Sequence, residues 1–111
     1  MSYIPHKYSG SVAGTVVAVD ATGPATLRLI TILNTTAAVA YLQVFNLPAA
    51  SVTIGTTAPA LSIGVPASAA LVIPIPECGL NIAGLGLSLG GTTTRAGATG
   101  ASLDVNLGWG N

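Results

Sequence analysis

Apolar residues in this chain fall in short runs separated by Gly, Pro, Asn, Ser and Thr, and within several runs they occupy every second position. Successive side chains of a β-strand point to opposite faces, so this period predicts half-buried strands. The alternation is cleanest over Ala101–Trp109, where Leu103, Val105, Leu107 and Trp109 share one face and Ser102, Asp104 and Asn106 the other. Ala69–Ile75 repeats it with Leu71, Ile73 and Ile75, and Ala60–Val65 precedes it as a second half-buried strand joined around Pro66–Ser68. Pro74 and Pro76 cannot donate ladder hydrogen bonds, which places the end of the Ala69–Ile75 strand at a sheet edge.

Earlier in the chain the pattern predicts strands over Ser11–Val19, Ala25–Asn34 and Ala38–Asn46. A turn at Asp20–Pro24 (DATGP) separates the first two, since Gly and Pro both mark chain reversal. In Ala25–Asn34 both parities are apolar, Leu27, Leu29 and Leu33 against Ile30 and Ile32, which implies a strand covered on both faces for part of its length. Ala38–Asn46 sets Tyr41, Gln43 and Phe45 on one face and Leu42 and Val44 on the other. Asn81–Leu89 puts Ala83, Leu85, Leu87 and Leu89 opposite Gly84, Gly86 and Ser88, a nearly bare face that implies close approach of a neighbour or a bend. Leu47–Ala58, with a short edge pairing at Ser51–Ile54, and the polar, Gly-rich Gly90–Gly100 read as loops.

Seven or eight short strands at this spacing predict an all-β fold, a single-domain antiparallel β-sandwich over residues 11–111 behind an extended N-terminal arm, residues 1–10. The Cys and Trp spacing of an antibody domain is missing, which favours a jelly roll over an immunoglobulin-like topology.

Composition narrows the chemistry. Half of the 111 residues are hydrophobic and 5% are charged, against about 25% charged in soluble domains. Lys7, Arg28 and Arg95 balance Asp20, Glu77 and Asp104, so no field draws in a phosphate backbone, and nucleic acid is not an expected partner. The charge-free stretch from Leu29 to Pro76 is interrupted by five prolines and many polar residues, so no membrane span is expected. Met1–Gly10 lacks the apolar core of a secretory signal, and synthesis in the cytoplasm is expected. A lone cysteine, Cys78, without paired Cys or His neighbours, gives neither a disulfide nor a zinc site.

Catalytic groups are equally scarce, and the expectation is a protein with no enzymatic activity, no cofactor and no metal. The single histidine, His6, lies in the arm, where an interface role fits better than proton transfer. Glu77 and Asp104 as an acid pair have the bland alternative of capping turns or pairing with arginine. The glycines of Gly84–Gly91 lack the following helix and lysine of a phosphate cradle.

So little charge on a monomer exposes apolar area, and burial in a homo-oligomer is the simplest account. The expected interface residues are Tyr3, Ile4, Pro5, His6 and Tyr8 of the arm, with Arg95 of the Gly/Thr loop a candidate to meet a carboxylate on a neighbouring subunit and, as the alternative, a solvated arginine.

Asn34, Thr35, Thr36, Ala37, Ala38, Ala40, Tyr41, Leu42, Phe45 and Asn46 follow a pattern that runs on through Val52, Gly55, Thr56, Pro59, Leu61 and Ile63. Pro74, Pro76, Glu77, Gly79 and Leu80 continue it, with Cys78 intruding. Over about two thirds of its length the chain thereby resembles small virion proteins of tailed bacteriophages. The resemblance implies a capsid cement or decoration protein on the virion surface, commonly a homotrimer, whose partner is the major capsid protein. The low charge and high Ala/Gly content depart from that family. The alternative is a receptor- or glycan-binding module of a phage fibre, with Leu47–Ala58 and Gly90–Gly100 as its contact surface.

Overall fold

A computed structural model describes residues 5–20, 25–74, 80–82, 87–95, 97 and 99–110. Among these the regular structure is strand, apart from a 3-10 turn at Ala49–Ser51. The strands are β1 (Pro5–Val12), β2 (Val17–Asp20), β3 (Ala25–Asn34), β4 (Ala40–Phe45), β5 (Leu61–Val65), β6 (Ala69–Pro74), β7 (Leu80–Ile82), β8 (Leu87–Thr92) and β9 (Leu103–Gly110). They form two sheets in an all-β sandwich. One runs β1-β9-β3-β6, with β7 beside the first residues of β3, and the other runs β2-β8-β4-β5. Each pairing is antiparallel.

The core lies between the sheets. Val12, Leu27, Ile30, Ile32, Leu103, Val105 and Leu107 of the five-stranded sheet meet Ala40, Leu42, Val44, Val65, Leu87 and Leu89 of the four-stranded one. The period-2 reading of β9 holds, with Leu103, Val105 and Leu107 buried and Ser102, Asp104 and Asn106 exposed. In β6, Leu71 and Ile73 pack on the core and Val72 points to solvent, and the strand lies at the sheet edge as its prolines require.

Several expectations need correction. The strand expected over Asn81–Leu89 is two, β7 in the five-stranded sheet and β8 in the four-stranded one, and β8 takes Gly90–Thr92 from the expected loop. The described part of the arm is a strand: β1 begins at Pro5 and pairs with β9 along its whole length, from Pro5 opposite Gly110 to Val12 opposite Leu103. The strand expected over Ser11–Val19 is two strands, β1 and β2, broken at residues 13–16 because the chain crosses there from one sheet to the other. The two apolar parities of β3 come from a register shift between Leu27 and Leu29 on the β9 side. A bulge inserts one residue and reverses the side-chain alternation. Leu27 therefore faces inward before it and Ile30 and Ile32 after it, while Leu29 and Leu33 are left 43% and 41% exposed rather than covered. Tyr3, Ile4, Glu77, Cys78, Gly84 and Gly86 lie outside the described residues.

Candidate functional site

The outer face of the four-stranded sheet carries Tyr41, Gln43 and Phe45 of β4. Opposite them stand Thr92, Gly90 and Ser88 of β8, and on the other side Gly64 and Ser62 of β5 flank Tyr41 and Gln43. Two loops fold back over this surface. The first, residues 46–60, is fastened at its start by Ser88 Oγ donating to the Leu47 carbonyl at 2.8 Å and at its end by Ala60 N–H donating to the Val44 carbonyl at 2.7 Å. Between these anchors Thr56 and Thr57 N–H both donate to the Thr53 carbonyl, at 3.0 and 2.8 Å, closing a turn. No strand pairing forms at Ser51–Ile54; the local bonds of the Ala49–Ser51 turn and the Thr53–Thr57 turn take its place.

Ile54 crosses over β8 where Gly90 carries no side chain, and a Cβ there would lie 2.6 Å from Ile54 Cδ1. Phe45 and Gln43 beneath the loops are 1% and 3% exposed although they point away from the core. The second loop, Thr93–Gly100, is pinned by Thr93 N–H to the Thr99 carbonyl at 2.9 Å and by the bridge between Thr92 and Gly100.

A cleft of about 260 Å³ remains between the loops, with Gln43, Phe45, Ile54, Thr57, Pro59 and Arg95 among its lining residues. The Gln43 amide is oriented by its neighbours. Its Nε2 lies 2.8 Å from Thr92 Oγ1 and 2.8 Å from the Arg95 carbonyl. Thr92 Oγ1 donates its own hydrogen to the Thr94 carbonyl at 2.7 Å, so towards Gln43 it can only accept, as can a carbonyl. Both amide hydrogens are committed, and Oε1 is left buried without a partner. Beside it, in the directly opposed position of β5, Ser62 Oγ is also buried and unpartnered. Arg95 lies at the cleft with its guanidinium 5.3 Å from the centre of the Tyr41 ring and one N–H donated to the Ser62 carbonyl at 3.3 Å.

A second surface stands out on the other sheet. The outer face of β3 and β6 presents Leu29, Leu33 and Val72 to solvent, Val72 at 65%, with Ala70 opposite Leu33. Val39, on the turn after β3, is 44% exposed.

The described residues expected at interfaces lie in three places. Pro5 and His6 belong to β1 at the edge of the five-stranded sheet, opposite Gly110 and Trp109. Tyr8 is half-buried against the core, its ring lying over Gly10. Arg95 sits on the outer side of the four-stranded sheet. Periodicity could not single out Gln43, because an outward polar residue between Tyr41 and Phe45 reads as solvated until a loop is known to cover it. Among the described residues no group of three or more His, Cys, Asp or Glu is placed to hold a metal, and no helix is long and apolar enough to cross a membrane. No family model, no curated protein and no solved structure matches this chain.

Proposed function

We propose that this chain is a structural virion protein of a tailed phage, a capsid cement or decoration protein that self-associates and bridges major capsid subunits. The observation that carries the reading is the apolar outer face of β3 and β6. There Leu29, Leu33 and Val72 stand in solvent on a chain with few charges to keep such a face wetted. A shell-forming partner with an apolar or neutral surface fits that face better than a charged ligand does. The strand order supports a jelly-roll reading, because β1-β9-β3-β6 packed on β2-β8-β4-β5 makes the chain alternate between sheets as two interleaved Greek keys do. The homotrimer and the capsid partner rest on the resemblance to small phage virion proteins.

Light scattering on the purified chain and co-sedimentation with expanded heads of the phage that encodes it test the proposal. The expected result is an oligomer, most simply a trimer, that pellets with the heads. Val72→Lys, placed at the most exposed point of the apolar face, is expected to stay folded and to lose head binding. A stable monomer that stays in the supernatant would overturn the reading. Wild-type binding by Val72→Lys would remove the face from it.

A further inference from the structure

We propose that the cleft between loop 46–60 and loop Thr93–Gly100 binds a neutral, polyhydroxylated ligand about the size of one sugar ring. The site stands on its own geometry and is independent of the capsid reading.

Its floor is formed in part by Gln43, whose acceptor lies just beneath the cleft surface and is left unused by the fold. Gln43 is 3% exposed, its two amide hydrogens are held by Thr92 Oγ1 and the Arg95 carbonyl, and Oε1 has no partner. Burying such a group unpaired costs about 1–3 kcal/mol. A ligand that draws Oε1 out to the cleft surface and donates to it recovers that cost, which calls for a hydroxyl or an N–H. A bare anion has no hydrogen to give and would meet the carbonyl oxygen end-on. The walls supply the complementary groups. Thr57 Oγ1 accepts the Thr53 N–H at 2.9 Å and keeps its own hydrogen to donate. Arg95 adds charged donors at the rim, held by the Tyr41 ring and the Ser62 carbonyl. Phe45, Ile54 and Pro59 form an apolar side.

A pocket that combines one buried acceptor, hydroxyl and guanidinium donors and an apolar wall matches a molecule with hydroxyls on its edge and C–H groups on its face. The volume of about 260 Å³ lies just under the ~300–1,000 Å³ of drug-sized sites, so one ring fits and an oligosaccharide would have to continue outside.

The test is a titration of the full ¹⁵N-labelled chain with glucose, galactose and N-acetylglucosamine, and with N-methylacetamide as a peptide-amide probe. Shifts of the Gln43 side-chain amide and of the loop backbones are followed. At least one sugar is expected to give saturable shifts confined to Gln43, residues 54–59 and Thr92–Gly97. Arg95→Ala, at an exposed position, is expected to weaken binding about tenfold, the loss of one charge-assisted hydrogen bond. Ala58→Trp, which fills the mouth from an exposed position, is expected to abolish the shifts while the core signals stay in place. No response to any sugar overturns the proposal, as do shifts that survive Ala58→Trp. A response to N-methylacetamide equal to that of the sugars reassigns the cleft to a peptide segment and overturns the sugar assignment.

Discussion

Asn34 ends β3 fully buried, and every polar atom of its side chain is in use. Nδ2 lies 2.9 Å from the Ala38 carbonyl and 3.1 Å from the carbonyls of Val65 and Pro66, and Oδ1 accepts the Thr36 N–H at 3.0 Å and its hydroxyl at 2.6 Å. One amide thus ties the turn between β3 and β4 to the turn between β5 and β6, where Ser68 takes a positive φ of 52° and donates its N–H to the Thr36 carbonyl at 3.0 Å. Asn34→Ala leaves buried carbonyls unpaired and is expected to cost about 2–4 kcal/mol. Asn34→Asp, which cannot donate and buries a charge, is expected to cost at least as much. Urea titrations of the three proteins check both values. A loss below about 0.5 kcal/mol for Asn34→Ala would show that water replaces the amide.

Glycines make the second argument at this scale. A Cβ on Gly91 would run into the Ala101 carbonyl oxygen, a backbone atom, and would crowd the Val12 carbonyl. A Cβ on Gly90 meets only the tip of the Ile54 side chain, which can rotate away. Gly91→Ala is therefore expected to lose about 3 kcal/mol or more and Gly90→Ala about 1 kcal/mol. Equal losses in the same denaturation assay would mean that the Ala101 backbone gives way as easily as Ile54 does.

At the scale of the element, legibility followed how much apolar surface each strand devotes to one face. β9 was readable because Leu103, Val105 and Leu107 are buried and their alternates are exposed. β1 was not, since its inward row contains Tyr8, Gly10 and Val12, and a glycine in the middle of a row dilutes the period to two apolar residues. In its place Tyr8 spans the gap by lying over Gly10, half-buried against its own core. β3 misled for another reason. A bulge is a property of the pairing with β9 and leaves no mark in the strand's own composition, so apolar residues on both parities, Leu27, Leu29 and Leu33 against Ile30 and Ile32, read as double coverage when they make one covered face and one exposed one. The cleft was half legible. The sequence pattern marks both loops, although Gly90–Thr92 of the second belongs to β8, but the bonds that hold Gln43 under the second loop and the seat of Ile54 on Gly90 join segments far apart in sequence.

At the scale of the whole molecule, strand order governs how the chain folds. β9 lies between β1 and β3, and β8 between β2 and β4. Among the described residues β1 and β2 therefore have no ladder until the last quarter of the chain arrives, and both sheets close through contacts of long sequence separation. Loop-closure entropy is lost before those contacts form, which places such topologies among slow folders, in the range of about milliseconds to seconds. Refolding by stopped-flow Trp109 fluorescence is expected to fall in that range. A chain ended before Leu103 is expected to remain unfolded. It loses Leu103, Val105 and Leu107 from the core, leaves the facing edges of β1 and β3 unpaired, and exposes the buried face of the opposing sheet. A dispersed amide spectrum from the truncated chain, or refolding within microseconds, would mean that β2, β4, β5 and β8 form a stable unit before the five-stranded sheet exists. The four-stranded sheet carries fewer of the large core side chains and has to bury its inner face against the other. The two sheets are for that reason expected to unfold together, in one transition that takes the loop cleft with it.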